Sequence, residues 1–374
     1  MKKALILSIK AGYGHHSTAQ AIIDCLSSRG IEAEMLDSLE YVSTFLGDSI
    51  QDGYLLTTKY MPDIYGKAYD KLDKKNTESA RFSPIAVSSK VVSKKLKEYV
   101  QDYAPDVIIG THSYACMLMT YMKRKRYIDC PTYGVVTDFT VHPFWENTDL
   151  DYYVVPDELL IPQMERKGIE RDRVLPFGIP IKEKFSKKTE KSEARELLGI
   201  EDLPTVLVMM GSMGFGNITE AMEKIDSVDG KFQVLCVCGT NEKSRAAIMS
   251  REWRKRVYVY GFVDMIDIMM DASDCIITKP GGLTTSELMA KGLPQILVNP
   301  IPGQEDRNME FLVNAGAAIM TTKTFQLDEA LNLLMNNRWR YDLMVESVKK
   351  LGKPDAAKNL CEYIINKETK KSVQ

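Results

Sequence analysis

The sequence predicts an α/β fold of two doubly wound, Rossmann-like parallel-sheet domains facing each other across a cleft. Short apolar runs alternate with helix-forming segments along most of the 374 residues. That alternation means parallel strands joined by right-handed helical crossovers. The pattern stops at Phe177–Lys191, a charged stretch with Gly178 and Pro180 that reads as a linker, and restarts at Thr205. A chain of this length also suits two cores better than one.

In the first half the strand candidates are Ala4–Ser8, Glu32–Leu36, Val107–Gly110, Thr132–Val136 and Tyr152–Val155. Helices are expected between them at Ser17–Ser28, Ala86–Tyr103, Ala115–Lys125 and Glu158–Lys167. In the second half the strands read Thr205–Met210, Phe232–Cys238, Val257–Tyr260, Cys275–Thr278 and Gln295–Val298. Their helices fall at Ile218–Ile225, Glu242–Trp253, Met265–Asp271, Thr284–Ala290 and Met309–Ala315. The expected domains are residues 1–180 and 192–350, with a C-terminal helix at 354–369 packing back on the first. Ligands of such sheets bind beyond the carboxyl ends of the strands, so the turns directly after strands are where function is expected.

Composition excludes several classes. A formal charge of −2 gives no basic field for nucleic acid. The seven cysteines are scattered, with no Cys-x-x-Cys pair, which argues against zinc or redox work and fits a reducing compartment. The apolar run Ala4–Ser8 is too short for a signal peptide, and no window approaches a spanning helix. A cytoplasmic protein, soluble or resting on a membrane surface, is expected.

After the first strand comes Lys10-Ala-Gly-Tyr-Gly-His-His-Ser17. Gly12 and Gly14 allow close approach to the backbone, and Ser17-Thr18 suits the cap of a following helix. The spacing is not Gly-x-Gly-x-x-Gly, because position 17 is Ser. His15 there suits a general base near neutral pH. A helix-capping histidine fits the same residues, and both readings stay open. Gly110-Thr111-His112-Ser113 and Val136-Thr137-Asp138 end two further strands, and would line one cleft with His15. Asp138 suits orientation of an imidazole or proton transfer, or a loop cap. His142, which can bind phosphate or pack on Pro143, and Trp145 extend that loop. The four histidines do not match a zinc pattern, and no acidic cluster suggests magnesium.

In the second half, Cys275–Thr278 breaks at Pro280-Gly281-Gly282 and continues into a helix-forming segment. A strand turning through glycines into a helix leaves backbone N–H groups unpaired at the helix start, which binds phosphate. Glu287, one turn on, is placed to accept two sugar hydroxyls. A diphosphate beside a ribose diol is a nucleotide. Gly211-Ser212, after Thr205–Met210, can face a phosphate across the cleft or form a tight turn. Gly261-Phe262-Val263 can support a flat base. Residues 40–80 are rich in Tyr and aliphatic side chains, including Tyr54, Tyr60 and Tyr65, and suit an apolar ligand, an interface or a packed helical excursion. Lys90, Lys94 and Lys97 share a helical face opposite Val92, Leu96 and Tyr99, which fits an anionic membrane surface or a plain solvated face. Lys123–Arg126 is similarly ambiguous.

Taken in order, these turns resemble family 28 glycosyltransferases of the GT-B fold. The branch they resemble holds the monogalactosyldiacylglycerol synthases and processive diacylglycerol glucosyltransferases. The likeness is carried by Gly12-Tyr-Gly-His15, by Val136-Thr-Asp138 with His142 and Trp145, and by Thr278–Glu287 running on to Pro302-Gly-Gln-Glu305. It implies a UDP-glucose or UDP-galactose donor, with Gly281, Gly282, Leu283 and Thr284 on the diphosphate and Glu287 on the ribose. It also implies Phe262 and Val263 at the uracil, and Gln304 and Glu305 at the donor sugar, while Gly14, Gly211 and Ser212 are counted with the donor contacts. His15 matches the catalytic histidine and Asp138 an acid–base position. Diacylglycerol is the implied acceptor, taken by the 40–80 insertion, with His112, His142 and Trp145 on that side. The implied enzyme inverts the anomeric centre without metal or cofactor, closes its domains to exclude water, and works peripherally on the inner face of the cell membrane. Pro280-Gly281, where the family often has Ala-Gly or Ser-Gly, and His16-Ser17 depart from the pattern. Rivals are an N-acetylglucosaminyltransferase on a lipid-linked cell-wall precursor, a UDP-sugar 2-epimerase and a non-catalytic sugar-nucleotide sensor.

Overall fold

A computed structural model describes residues 1–10, 13–38, 40–41, 95–211 and 217–371, the side chains as far as residue 367. The chain divides into two compact units, residues 1–183 with 301–304 and 355–374, and residues 184–300 with 305–354.

The first unit holds β1 (Lys3–Ser8), β2 (Glu32–Asp37), β3 (Val107–Gly110), β4 (Thr132–Val135), β5 (Tyr152–Val154) and β6 (Val174–Leu175). They form one parallel sheet in the order β2-β1-β3-β4-β5-β6. Ala4-Leu5-Ile6-Leu7 is fully buried, as a parallel strand covered on both faces requires. Its helices are α1 (Tyr13–Ser27), α2 (Ser113–Arg124) and α3 (Ile161–Arg166), with another helix over 95–103. Ala19, Ile22 and Leu26 recur on one face of α1 and bury it against the sheet.

The second unit repeats the scheme with β7 (Thr205–Met209), β8 (Gln233–Val237), β9 (Arg256–Tyr260), β10 (Cys275–Thr278), β11 (Gln295–Leu297) and β12 (Ala318–Met320). The order is β12-β11-β10-β7-β8-β9, again all parallel. Around it run α4 (Lys191–Leu197), α5 (Ile218–Ser227), α6 (Glu242–Met249), α7 (Ile266–Ala272), α8 (Gly282–Lys291), α9 (Gln304–Asn314), α10 (Leu327–Asn336) and α11 (Arg338–Leu351). Gly352, just after α11, packs on α8 so tightly that a Cβ there would lie 2.5 Å from the Met289 carbonyl oxygen.

The last helix, α12 (Ala356–Lys371), belongs to the first unit. Leu360, Cys361 and Ile364 enter the core beside Ala19, Ile22 and Leu26 of α1. Each fully buried Leu or Ile contributes about 1.5–3 kcal/mol relative to exposure.

Two expectations need correcting, and a third gains detail. The helix after β1 begins at Tyr13, so Gly14, His15 and His16 are its first turn rather than a preceding loop, and Ser17-Thr18 do not cap it. The stretch 177–191 contains the boundary between the units, at 183–184, and it is packed rather than exposed. Ile179, Ile181 and Phe185 are buried in it, Lys191 pairs with Asp274 at 2.5 Å, and Thr189 N–H donates to Asp271. Asp271 is also the partner of Lys291 at 2.5 Å, with both side chains almost wholly removed from water. Losing one member of such a buried pair strands the other charge and costs about 3–5 kcal/mol. Finally, β6 and β12 were not foreseen. Strands of two and three residues are too short to show a pattern.

Candidate active site

In the first sheet the strand order reverses between β1 and β3, because β2 lies to one side of β1 and the later strands to the other. The carboxyl end of such a pair opens a crevice. The segments leaving β1, β3 and β4 converge there. His15, on the first turn of α1, places Nδ1 2.9 Å from the Thr111 carbonyl oxygen and 3.1 Å from Thr137 Oγ1. A carbonyl only accepts, so Nδ1 carries the proton and Nε2 holds the lone pair. The His112 ring stands edge-on to His15 at 4.6 Å between centroids.

Burial pushes His15 down to about 4, against the Thr111 hydrogen bond and helped by neighbouring His16. His112 is held well below 6.5, mainly by burial, then by His15 and His142, with Asp37 opposing. The imidazole of His15 therefore stays neutral across the physiological range and is ready to accept a proton.

These shifts carry a stability signature. The unfolded histidines titrate near 6.5. Between that value and the depressed folded values, the unfolded chain binds more protons, so stability falls as pH drops from 6.5 toward 4. His112→Asn should make the loss of thermal midpoint between pH 7 and pH 4.5 shallower. Asn keeps the capping acceptor without titrating. An unchanged pH slope would remove His112 from this account.

His16 Nε2 meets Asp37 Oδ2 at 3.2 Å, and the same oxygen accepts from Lys10 N–H at 2.7 Å. Asp37 ends β2, so the β1–β2 pairing carries a carboxylate to the start of α1. Asp138 Oδ2 accepts from Gln304 Nε2 at 3.2 Å, and Gln304 groups with this first unit.

In the second unit the order reverses between β7 and β10. Gly211 leaves β7 at φ 79, in the left-handed region that favours glycine. After β10, Gly281 is the N-cap of α8 with no side-chain cap, and its φ of −73 suits any residue. A Cβ there would meet nothing within 4 Å. Glycine at this point is thus required neither by backbone conformation nor by packing among the described residues. It leaves room for something from outside. The N–H groups of Gly282, Leu283 and Thr284 have no acceptor within the helix, by the geometry of any helix start. Thr285 and Ser286 turn their hydroxyls back onto the Gly281 and Gly282 carbonyls. Buried Asn308 of α9 donates to the Pro280 carbonyl at 3.0 Å and fixes the turn. Lys279 and Glu305, both largely buried, pair at 3.3 Å beside it.

Comparison with known proteins bears on both units. Residues 15–181 match the family described as monogalactosyldiacylglycerol (MGDG) synthase, and residues 205–360 match the glycosyltransferase family 28 C-terminal domain. The chain belongs to glycosyltransferase family 28. It is 29% identical over 369 residues to a processive diacylglycerol beta-glucosyltransferase of Bacillus pumilus, covering 97% of this chain and 94% of that protein. Among solved structures, Acinetobacter baumannii MurG superposes with a TM-score of 0.64 at 16% identity, over 98% of this chain and all of that one. A UDP-GlcNAc 2-epimerase from Neisseria meningitidis, bound to UDP-GlcNAc, gives 0.61 at 14% identity, over 98% and 100%. Such likenesses establish the GT-B fold and do not choose between transferase and epimerase.

The glycosyltransferase brings His15, Thr111, His112 and Thr137 together, and holds Asp138 on Gln304. His112 Nδ1 caps α2 through Tyr114 N–H, and His142 Nδ1 caps the short helix Pro143–Asn147 through Phe144 N–H. Trp145 does not sit on an acceptor surface. It is 3% exposed, packed against Gly134 and Tyr153. Phe262 is 65% exposed, and Val263 follows it half-buried. Glu287 is half-buried on α8. Met309–Ala315 was expected as a helix, but α9 begins at Gln304, so Gln304 and Glu305 form its first turn. Ser212, Tyr54, Tyr60, Tyr65, Lys90 and Lys94 lie outside the described residues. Of the expected basic stripe, Lys97 rests over the Tyr127 ring at 4.8 Å, opposite buried Leu96.

Asp37, Lys279 and Asn308 were missed, while Thr111 and Thr137 were named only as members of their polar turns. Asp37 alone carried a sequence signal, as a carboxylate ending a strand. Among the described residues, no group of three or more His, Cys, Asp or Glu could hold a metal ion, and no helix is long and apolar enough to cross a membrane.

Proposed function

We propose that the protein transfers glucose or galactose from a UDP-sugar to the hydroxyl of 1,2-diacylglycerol, with inversion, at an anionic membrane surface on the inner face of the cell membrane. The observation that carries this reading is the near full-length likeness to a processive diacylglycerol beta-glucosyltransferase, in a chain that presents a neutral, oriented histidine. In this reading His15 Nε2 takes the proton of the acceptor hydroxyl. The hydroxyl oxygen attacks the anomeric carbon as the bond to UDP breaks, and UDP leaves with the electron pair. The N–H groups at the start of α8 receive the diphosphate charge, aided by the helix dipole. Because those groups meet the leaving-group charge, the reading expects full turnover in EDTA. Glu287 takes the ribose hydroxyls, the Phe262–Val263 turn the uracil, and Gln304 and Glu305 the donor sugar. Asp138, tied to Gln304, holds that residue at the sugar.

The reading is tested by incubating the protein with radiolabelled UDP-glucose or UDP-galactose and diacylglycerol vesicles, followed by lipid chromatography. Labelled glycolipid supports it. Label released only as free sugar, or label moving only to a lipid-linked cell-wall precursor, overturns it.

Gly281→Ala separates fold from donor binding. The added methyl meets no atom of the described residues and needs no unusual φ. The thermal midpoint should therefore stay within about 2 °C. UDP affinity should weaken about tenfold or more, roughly 1.4 kcal/mol, because the methyl occupies the path of the diphosphate. Calorimetric titration reads the affinity, and an unchanged dissociation constant would place the phosphates elsewhere.

A further inference from the structure

Cys25 on α1 and Cys361 on α12 stand near opposite ends of the chain, yet share one site in the first unit. The Cys361 thiol donates to the Ile22 carbonyl oxygen at 3.9 Å, which places it against α1 one turn before Cys25. Arg29 Nη1 lies 3.0 Å from Cys25 Sγ and 2.8 Å from the Cys25 carbonyl, while its Nη2 reaches Glu362 Oε1 of α12 at 3.5 Å. A carbonyl of α1 and a carboxylate of α12 thus hold one guanidinium against one sulfur. Cys25 is partly exposed, whereas Cys361 is buried. One sulfur meets solvent beside a fixed positive charge, and a second, dry sulfur lies at the same crossing of α1 and α12.

We propose that Cys25 is an oxidation site and Cys361 its resolving partner, so that a peroxide converts the pair into an intrachain disulfide joining α1 to α12. The Cys25 thiolate attacks one oxygen of hydrogen peroxide, the O–O bond breaks, and a sulfenic acid and water form after one proton is taken up. The Cys361 sulfur then attacks the sulfenic sulfur, its proton leaves with the hydroxyl as a second water, and the S–S bond closes. The two thiols lose two electrons and the peroxide gains them.

The surroundings favour the first step at Cys25 alone. Its thiol is drawn down, first by the neighbouring Cys361 and then by Arg29, against burial and the Glu362 carboxylate. Cys130 is the other partly exposed cysteine, and burial, followed by nearby aspartates, pushes it up to about 11. Cys236 and Cys238 stand 4.0 Å apart but are buried in and beside β8.

The test uses the full-length wild-type protein. Under reducing conditions at pH 7, limiting iodoacetamide should label Cys25 about tenfold faster than Cys130 or more, because the thiolate is the reactive form and the Arg29 guanidinium beside Cys25 favours it. After hydrogen peroxide treatment and blocking of free thiols, peptide mapping should recover the Cys25–Cys361 linked peptide, absent again after dithiothreitol. Cys361→Ser should abolish the link and leave Cys25 to over-oxidise to sulfinic acid. If that variant fails to fold, the wild-type map decides alone. Equal labelling of Cys25 and Cys130, or peroxide-treated protein without the linked peptide, would overturn the proposal.

Discussion

His15→Ala should lower turnover by about 10²–10⁴-fold, the range that a positioned general base contributes, while leaving UDP affinity within about twofold. The expectation rests on orientation. The Thr111 carbonyl holds the proton on Nδ1, so the ring offers Nε2 to the acceptor hydroxyl. Low basicity is no obstacle in principle. A bound UDP-sugar brings negative charge near the ring, which raises a histidine, and the hydroxyl loses its proton only as the bond to the sugar forms. The variant is checked by initial rates on diacylglycerol vesicles beside calorimetric titration with UDP. If UDP binding is lost along with turnover, His15 belongs to the donor site and the base must be sought elsewhere. If turnover survives, the proton-transfer role fails.

The second large effect is expected at Glu287. A carboxylate accepting two ribose hydroxyls makes charge-assisted hydrogen bonds, each worth about 1.5–3 kcal/mol. Glu287→Ala should therefore raise the UDP dissociation constant about 10²-fold or more, with the thermal midpoint nearly unchanged because the side chain is only half-buried. The same titration with uridine 2′,3′-dideoxy diphosphate gives a sharper reading, since wild type and variant should then bind alike. Equal affinity of the variant and wild type for UDP itself would end the ribose assignment.

Much of the frame was legible because parallel strands buried on both faces become continuous apolar runs. Leu5-Ile6-Leu7, Val107-Ile108-Ile109 and Cys275-Ile276-Ile277 are of this kind. The turns after them followed from the rule that sites lie at strand carboxyl ends. The start of α1 was misread because two glycines suggested a loop, although Gly14 sits comfortably in a helical first turn. The packing of residues 177–191 was hidden because their charges signal solvent, whereas Ile179, Ile181 and Phe185 go inside. The orientation of His15 was invisible for a deeper reason. It depends on the main-chain carbonyl of Thr111, a group every residue carries. Asn308 was hidden likewise, since its partner is the Pro280 carbonyl and the α9 start was placed too late.

The return of α12 to the first unit has a consequence for how the protein is made. The second unit is nearly continuous in sequence and can close once residue 354 has been synthesised. The first unit cannot. Ala19, Ile22 and Leu26 wait for Leu360, Cys361 and Ile364, which leave the ribosome after the whole second unit. At typical elongation rates of about 5–20 residues per second, the apolar flank of α1 stays uncovered for roughly 9–36 s after residue 183 emerges. The first unit is begun before the second and finished after it, so its apolar flank needs shelter while the second is made.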